Sequence, residues 1–91
     1  MSSDDFRWNN WNREHVAIHG ITPQEAEHVV DHAAAPYPEQ IGDGKWRVRG
    51  QTATGRYLQV VFVFDPGGTV YIIHARGLND REKRQLRRRR S

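Results

Sequence analysis

Polar and apolar residues alternate from Lys45 to Thr52, with Trp46 and Val48 on one side and Lys45, Arg47 and Arg49 on the other. A period of two is that of a strand with one buried face. The run Arg56–Asp65 (R-Y-L-Q-V-V-F-V-F-D) begins in the same way but is apolar on both sides in its second half. That pattern predicts a central strand covered on both faces. Pro66-Gly67-Gly68 then marks a tight connection to a third strand, Thr69–Gly77, so the two should form a hairpin. Regular alternation along Thr69–Gly77 puts Val70, Ile72, His74 and Arg76 on one face and Tyr71, Ile73 and Ala75 on the other.

Upstream, the period lengthens. Phe6-Arg7-Trp8 alternates over a stretch short enough for only a brief strand. Trp11–His19 reads as a helix closed by Gly20, and a wheel at about 100° per residue places Trp11, His15, Ile18 and His19 on one side. Thr22-Pro23-Gln24-Glu25 is a strong helix start: Thr as N-cap, Pro at the first position and Glu at the third. This second helix is expected to run to about Ala35 and stop at Pro36, with Ala26, Val29, Val30 and Ala33 as its apolar stripe. Asn79, with Glu82 three residues on, opens a final helix whose apolar anchor beyond Leu78 is Leu86. The order β-α-α-β-β-β-α predicts an α+β fold, two N-terminal helices packed on a small antiparallel sheet. Residues 1–91 form one domain, with 1–5 and 87–91 expected to be flexible.

Composition narrows the partners. A chain of 91 residues makes one small domain, and six of its nine aromatics are Trp or Tyr. It has no Cys, which removes disulfides and thiolate metal sites and is compatible with a reducing cytoplasm. No apolar run is long enough for a membrane span or a signal peptide. The net charge of +3 conceals a separation. Between Arg76 and Arg90, eight basic side chains face Asp80 and Glu82, a net of +6; the remainder carries six basic against nine acidic, a net of −3. A positive end on a weakly acidic body points to a polyanionic partner.

Chemistry is suggested at two places. If the face bearing Lys45, Arg47 and Arg49 coincides with the one bearing His74 and Arg76, a sheet surface presents several guanidiniums around one imidazole. Arginine forks bind phosphate oxygens, and imidazole transfers protons at neutral pH, which is what metal-free phosphodiester cleavage in RNA requires. The bland alternative is a solvated sheet face with His74 as a packed polar residue. The pairs His15/His19 and His28/His32 have the i,i+4 spacing of a helical zinc pair, but no third ligand with useful spacing stands out. The Arg87–Arg90 run raises nonspecific nucleic-acid affinity by counterion release or docks on an acidic partner.

Three segments together carry a resemblance. W-N-x-x-N-x-x-H-x-x-x-H-G-I-T-P-x-E-A-E (Trp8 to Glu27), G-R-Y-L-Q-V-V-F-V (Gly55 to Val63) and V-Y-I-I-H-A-R-x-x-x-x-R-E-K-R (Val70 to Arg84) resemble the BrnT-type toxin family across nearly the whole chain. The resemblance implies a RelE-like fold and a cytoplasmic, metal-independent ribonuclease toxin of a type II toxin–antitoxin system, with no cofactor. Its partners would be RNA and a DNA-binding antitoxin that joins it in a hetero-oligomer. Position by position, it implies catalytic weight on His19, Arg56, Arg76 and Glu82. Arg76 would be a phosphate ligand, and His19 or Glu82 a proton-transfer or positioning group. Arg47, Arg49, His74, Arg81, Lys83 and Arg84 are the candidates for RNA contact. Members often carry a Lys before the first helix and a Tyr after the R-E-x-x-R run; this chain has Asn9-Asn10-Trp11-Asn12 and Gln85-Leu86 there. That keeps open a second reading, a non-catalytic basic module that binds RNA, DNA or a protein partner.

Overall fold

The structure, a computed structural model, describes residues 5–90, and the side chains of residues 5–88. The flexibility expected of residues 1–4 and 91 lies outside the described residues. In chain order the elements are β1 (Phe6–Arg7), α1 (Asn10–Ala17), α2 (Pro23–Asp31), β2 (Glu39–Gly42), β3 (Lys45–Gln51), β4 (Tyr57–Phe64), β5 (Val70–Gly77) and α3 (Asp80–Arg90). The strands form one five-stranded sheet in the order β1-β5-β4-β3-β2. The fold is α+β, as the element pattern predicts.

Two features correct the expected sheet. β1 pairs with β5 in parallel, so the sheet is mixed, and β2 is a strand that the alternation did not reveal. β2 is almost wholly exposed, so it lacks the apolar alternation that marks a half-buried strand. Its signal is the turn instead. Asp43 and Gly44, with φ of 51° and 72°, make the two-residue hairpin connection that Asp-Gly favours.

β4 lies at the centre, antiparallel to β3 and β5. Leu58, Val60 and Phe62 on its inner face meet Val48 of β3 and Ile72 and Ala75 of β5 in the core, to which α1 adds Val16 and α2 adds Ala26 and Val29. Both helices begin with reciprocal capping. Thr22 Oγ1 accepts from Glu25 N–H while Glu25 accepts from Thr22 N–H. α2 is shorter than expected, ending at Asp31 with His32 as its cap rather than at Ala35. The residue before Pro36 is disfavoured in a helix, and the early exit brings Tyr37 into the core.

In α1 the buried residues are Asn12 and Val16, while Trp11 is 48% and Ile18 74% exposed. The Trp11–His15–Ile18–His19 side therefore faces away from the core. The helix is rotated by its cap. Asn12, fully buried, accepts from Asn9 N–H, donates its amide to the carbonyl of Arg7, and lends its own N–H to Asn9. Asn12→Ala should therefore destabilise the fold by about 2 kcal/mol, since it removes the α1 cap and the bond to the Arg7 carbonyl at a fully buried position. Urea denaturation measures this, and an unchanged midpoint would contradict it.

The β4–β5 register contains a bulge. Val61 pairs with His74 but Phe62 pairs with Ile72, so Ile73 is an extra residue on β5. The expected alternation is thus broken. Val70, Ile72 and Ala75 enter the core, and His74 and Arg76 move to the opposite face.

Candidate functional site

The bulge decides the site. Across the sheet, Arg49 pairs with Gln59, and Gln59 with Arg76; in the next row Arg47 pairs with Val61, and Val61 with His74. Directly paired residues share a face. The two basic strand faces therefore coincide, on the side of the sheet away from the α1–α2 core.

Most guanidiniums on this surface are engaged. Glu82, on the first turn of α3, accepts from Arg76 at both oxygens (2.9 and 2.8 Å), from Arg49 at 3.2 Å and from the Asn79 N–H at 3.0 Å. Gln59 Oε1 takes a further bond from Arg49 Nε at 2.9 Å. The Arg76 hydrogen bonds, then the Asn79 N–H, then the charges of Arg76 and Arg49 outweigh burial and hold the Glu82 carboxyl down from 4.5 to about 2. Arg76 is correspondingly raised, chiefly by its bonds to Glu82. A carboxylate so stabilised and so fully occupied is a poor proton donor or acceptor near neutral pH. Glu82 is a positioning group that ties α3 to β3 and β5, and Arg76 spends its fork on it.

The remaining candidates fall at three other places. Arg56 donates to Gly20 O at 3.1 Å and pairs with Glu25, so it clamps the turn that follows His19. Arg47 pairs with Glu39 of β2. On α3, Lys83 lies over the Tyr57 ring and Arg87 donates to the Tyr57 hydroxyl, while Arg81 and Arg84 are exposed. Arg81 and Arg84, with Gln85 and Arg88, line a shallow concavity on the helix.

His19 and His74 come together. Their ring centroids are 5.6 Å apart, with the planes at 74°. His74 is half-buried and its pKa is lowered, first by burial and then by the charges of His19, Arg76 and His15. It stays neutral where an exposed imidazole would begin to take up a proton. His15 stacks on Trp11 with centroids 3.8 Å apart. The zinc reading gains nothing: among the described residues no three His, Cys, Asp or Glu side chains gather as a metal site. His28 and His32 stack on each other at 4.0 Å beside a cavity of about 330 Å³, which Tyr37, Arg49 and Leu86 also line. Neither His19, His74 nor Arg76 lines it. Of the imidazole pair, His19 is exposed and His74 partly so.

Two participants went unmarked in the sequence. Gln59 links Arg49 to Arg76, and the signal for it is a lone amide inside an apolar strand. Tyr71 has its hydroxyl on Asn9 Oδ1 at 3.1 Å and stands beside Trp11; nothing in the strand pattern distinguished it from a packing residue. No helix among the described residues is long and apolar enough to cross a membrane. Compared with models of known families, with curated proteins and with solved structures, the chain matches none.

Proposed function

We propose that this protein is a metal-independent endoribonuclease acting in the cytoplasm, the toxin of a type II toxin–antitoxin pair that a DNA-binding antitoxin neutralises. The observation that carries the chemical part is the pairing of His19 with His74 at 5.6 Å beside Arg76. The toxin–antitoxin part rests on the resemblance of Trp8 to Glu27, Gly55 to Val63 and Val70 to Arg84 to the BrnT-type family. His74, kept neutral, accepts the proton of a ribose 2′-hydroxyl as that oxygen attacks the adjacent phosphorus. The P–O5′ bond breaks, and His19 donates a proton to the departing oxygen. The products are a 2′,3′-cyclic phosphate and a free 5′-hydroxyl, and the histidines have exchanged protonation states. Arg76 and Arg49 supply field rather than direct ligation while Glu82 holds them. The exposed Arg81 and Arg84 attract the RNA backbone.

The test is purified protein with labelled single-stranded RNA in excess chelator. The expected result is fragments ending in cyclic phosphate, and growth arrest when the protein is expressed alone. Intact RNA and normal growth sink the enzyme reading. The second reading, a binding module, is favoured by the split of the arginines: Arg47, Arg49, Arg56 and Arg76 are paired with carboxylates, while Arg81 and Arg84 on α3 stand exposed to a polyanion. It predicts RNA binding that weakens steeply with salt and no cleavage in the same tubes.

A further inference from the structure

The outer side of α1 continues into a row of flat side chains that the core does not use. The Arg7 guanidinium lies 4.0 Å from the centre of the Tyr71 ring. Tyr71 and Trp11 are near parallel, at 22°, with centroids 6.2 Å apart. Trp11 stacks on His15 at 3.8 Å. One helical turn beyond His15 stands His19, edge to face with His74. Neither Trp11 nor Tyr71 is among the buried residues of the hydrophobic core. Each is nevertheless held in place. The Tyr71 hydroxyl donates to Asn9, Arg7 is fixed over its ring by Asp65, and His15 Nδ1 is bonded to the Trp11 carbonyl at 2.6 Å. Trp11 remains half exposed. His15 stacks on Trp11 and Arg7 covers Tyr71, so the surface left for a nucleobase is the exposed half of the ordered indole, beside a phenol and a cation.

We propose that Trp11 and Tyr71 form a base-stacking subsite for single-stranded RNA, seating a nucleotide next to the phosphodiester at His19 and His74. The subsite rests on the RNA reading above and deepens it. Stacking needs no base-specific hydrogen bonds, so the subsite tolerates any sequence and contributes affinity that salt does not screen.

Binding of a fluorescent 2′-O-methyl oligoribonucleotide, which lacks the nucleophilic hydroxyl and survives intact, tests it. Trp11→Ala should weaken binding about tenfold at every salt concentration, leaving the salt slope unchanged. Trp11→Phe, which keeps a ring and the fold, should retain affinity within about threefold. Tyr71→Ala should behave as Trp11→Ala does. Urea midpoints identify any variant whose loss comes from unfolding, and Trp11→Phe then decides alone through the Trp fluorescence quenching it removes on binding. Wild-type affinity in Trp11→Ala, with wild-type cleavage intact, overturns the subsite and leaves the ribonuclease reading standing. Absence of both binding and cleavage in the wild-type protein overturns both. Unchanged RNA affinity with lost affinity for a protein partner makes this a protein-docking surface and also overturns the proposal.

Discussion

His74→Ala should lower RNA cleavage by about a hundredfold or more, the usual effect of removing a positioned general base. His19→Ala should do the same, and the double variant should lose little beyond either single one, because the two imidazoles act on one reaction. The argument is geometric first. The rings are in edge-to-face contact, 5.6 Å apart, close enough to act on one phosphodiester. It is then electrostatic. Burial and the neighbouring charges of His19, Arg76 and His15 push His74 below 6.5, so its base form persists into mildly acid solution. The sign follows directly. The acid limb of cleavage, where His74 takes up a proton, should lie at lower pH than a free imidazole would give. The check is the pH dependence of kcat/KM for the wild type and for His74→Ala, which should lack that acid limb. Cleavage by His74→Ala within a few-fold of wild type would falsify the assignment.

Glu82→Ala should be the most destabilising change on the surface face, at about 2 kcal/mol. Breaking a buried ion pair costs roughly 3–5 kcal/mol, and solvent contact at Arg76, about one third exposed, reduces that figure here. The carboxylate neutralises two guanidiniums that would otherwise face each other, and it caps α3 by bonding Asn79 N–H. Without it, α3 keeps Leu86 and the Tyr57 contacts but loses its attachment at the first turn. For a domain of this size the melting temperature should fall by about 8–15 °C. The effect depends on pH with a definite sign. A carboxyl at 4.5 when unfolded and about 2 when folded stabilises fully above 4.5, and that contribution disappears as pH falls from 4.5 towards 2. The gap between wild type and Glu82→Gln, read from urea midpoints, should be constant from pH 6 upward and shrink in acid. A gap that is absent at pH 7 would show that Arg49 and Arg76 need no counter-charge.

Much of the local structure was legible because its causes are local. Thr22 and Glu25, and Asn79 and Glu82, form capping boxes from residues three apart, and both appear where the spacing predicts. Pro66-Gly67-Gly68 closes the β4–β5 hairpin, with Gly68 at φ 89°. β4 is central, as its two-sided pattern implies, but its apolar end is not covered on both faces: Val63 is partly exposed and Phe64 is exposed. What failed locally had weak or competing signals. β2 has no buried face to betray it, and the Asp43-Gly44 turn was the sign to read. The helical wheel of α1 groups Trp11, His15, Ile18 and His19 on one side but does not say which way that side faces. The fully buried Asn12, with its bonds to Asn9 and Arg7, sets the inward face instead.

By itself the sequence determined the α+β class, the order of every element except β2, the caps, the β4–β5 hairpin, the basic C-terminal end and the identity of the chemically able residues. Only the tertiary structure decided which of them meet. The single extra residue at Ile73 moves His74 and Arg76 from the core side to the face of Arg47 and Arg49, and no periodicity announces where a strand will slip by one. The folding of α1 beside β5 brings His19 to His74, and the docking of α3 spends Arg76 on Glu82 rather than on phosphate. The physical reason is one of range. Capping, turn geometry and alternation act between residues a few positions apart. Face, partner and charge neutralisation are set by packing between segments distant in the chain.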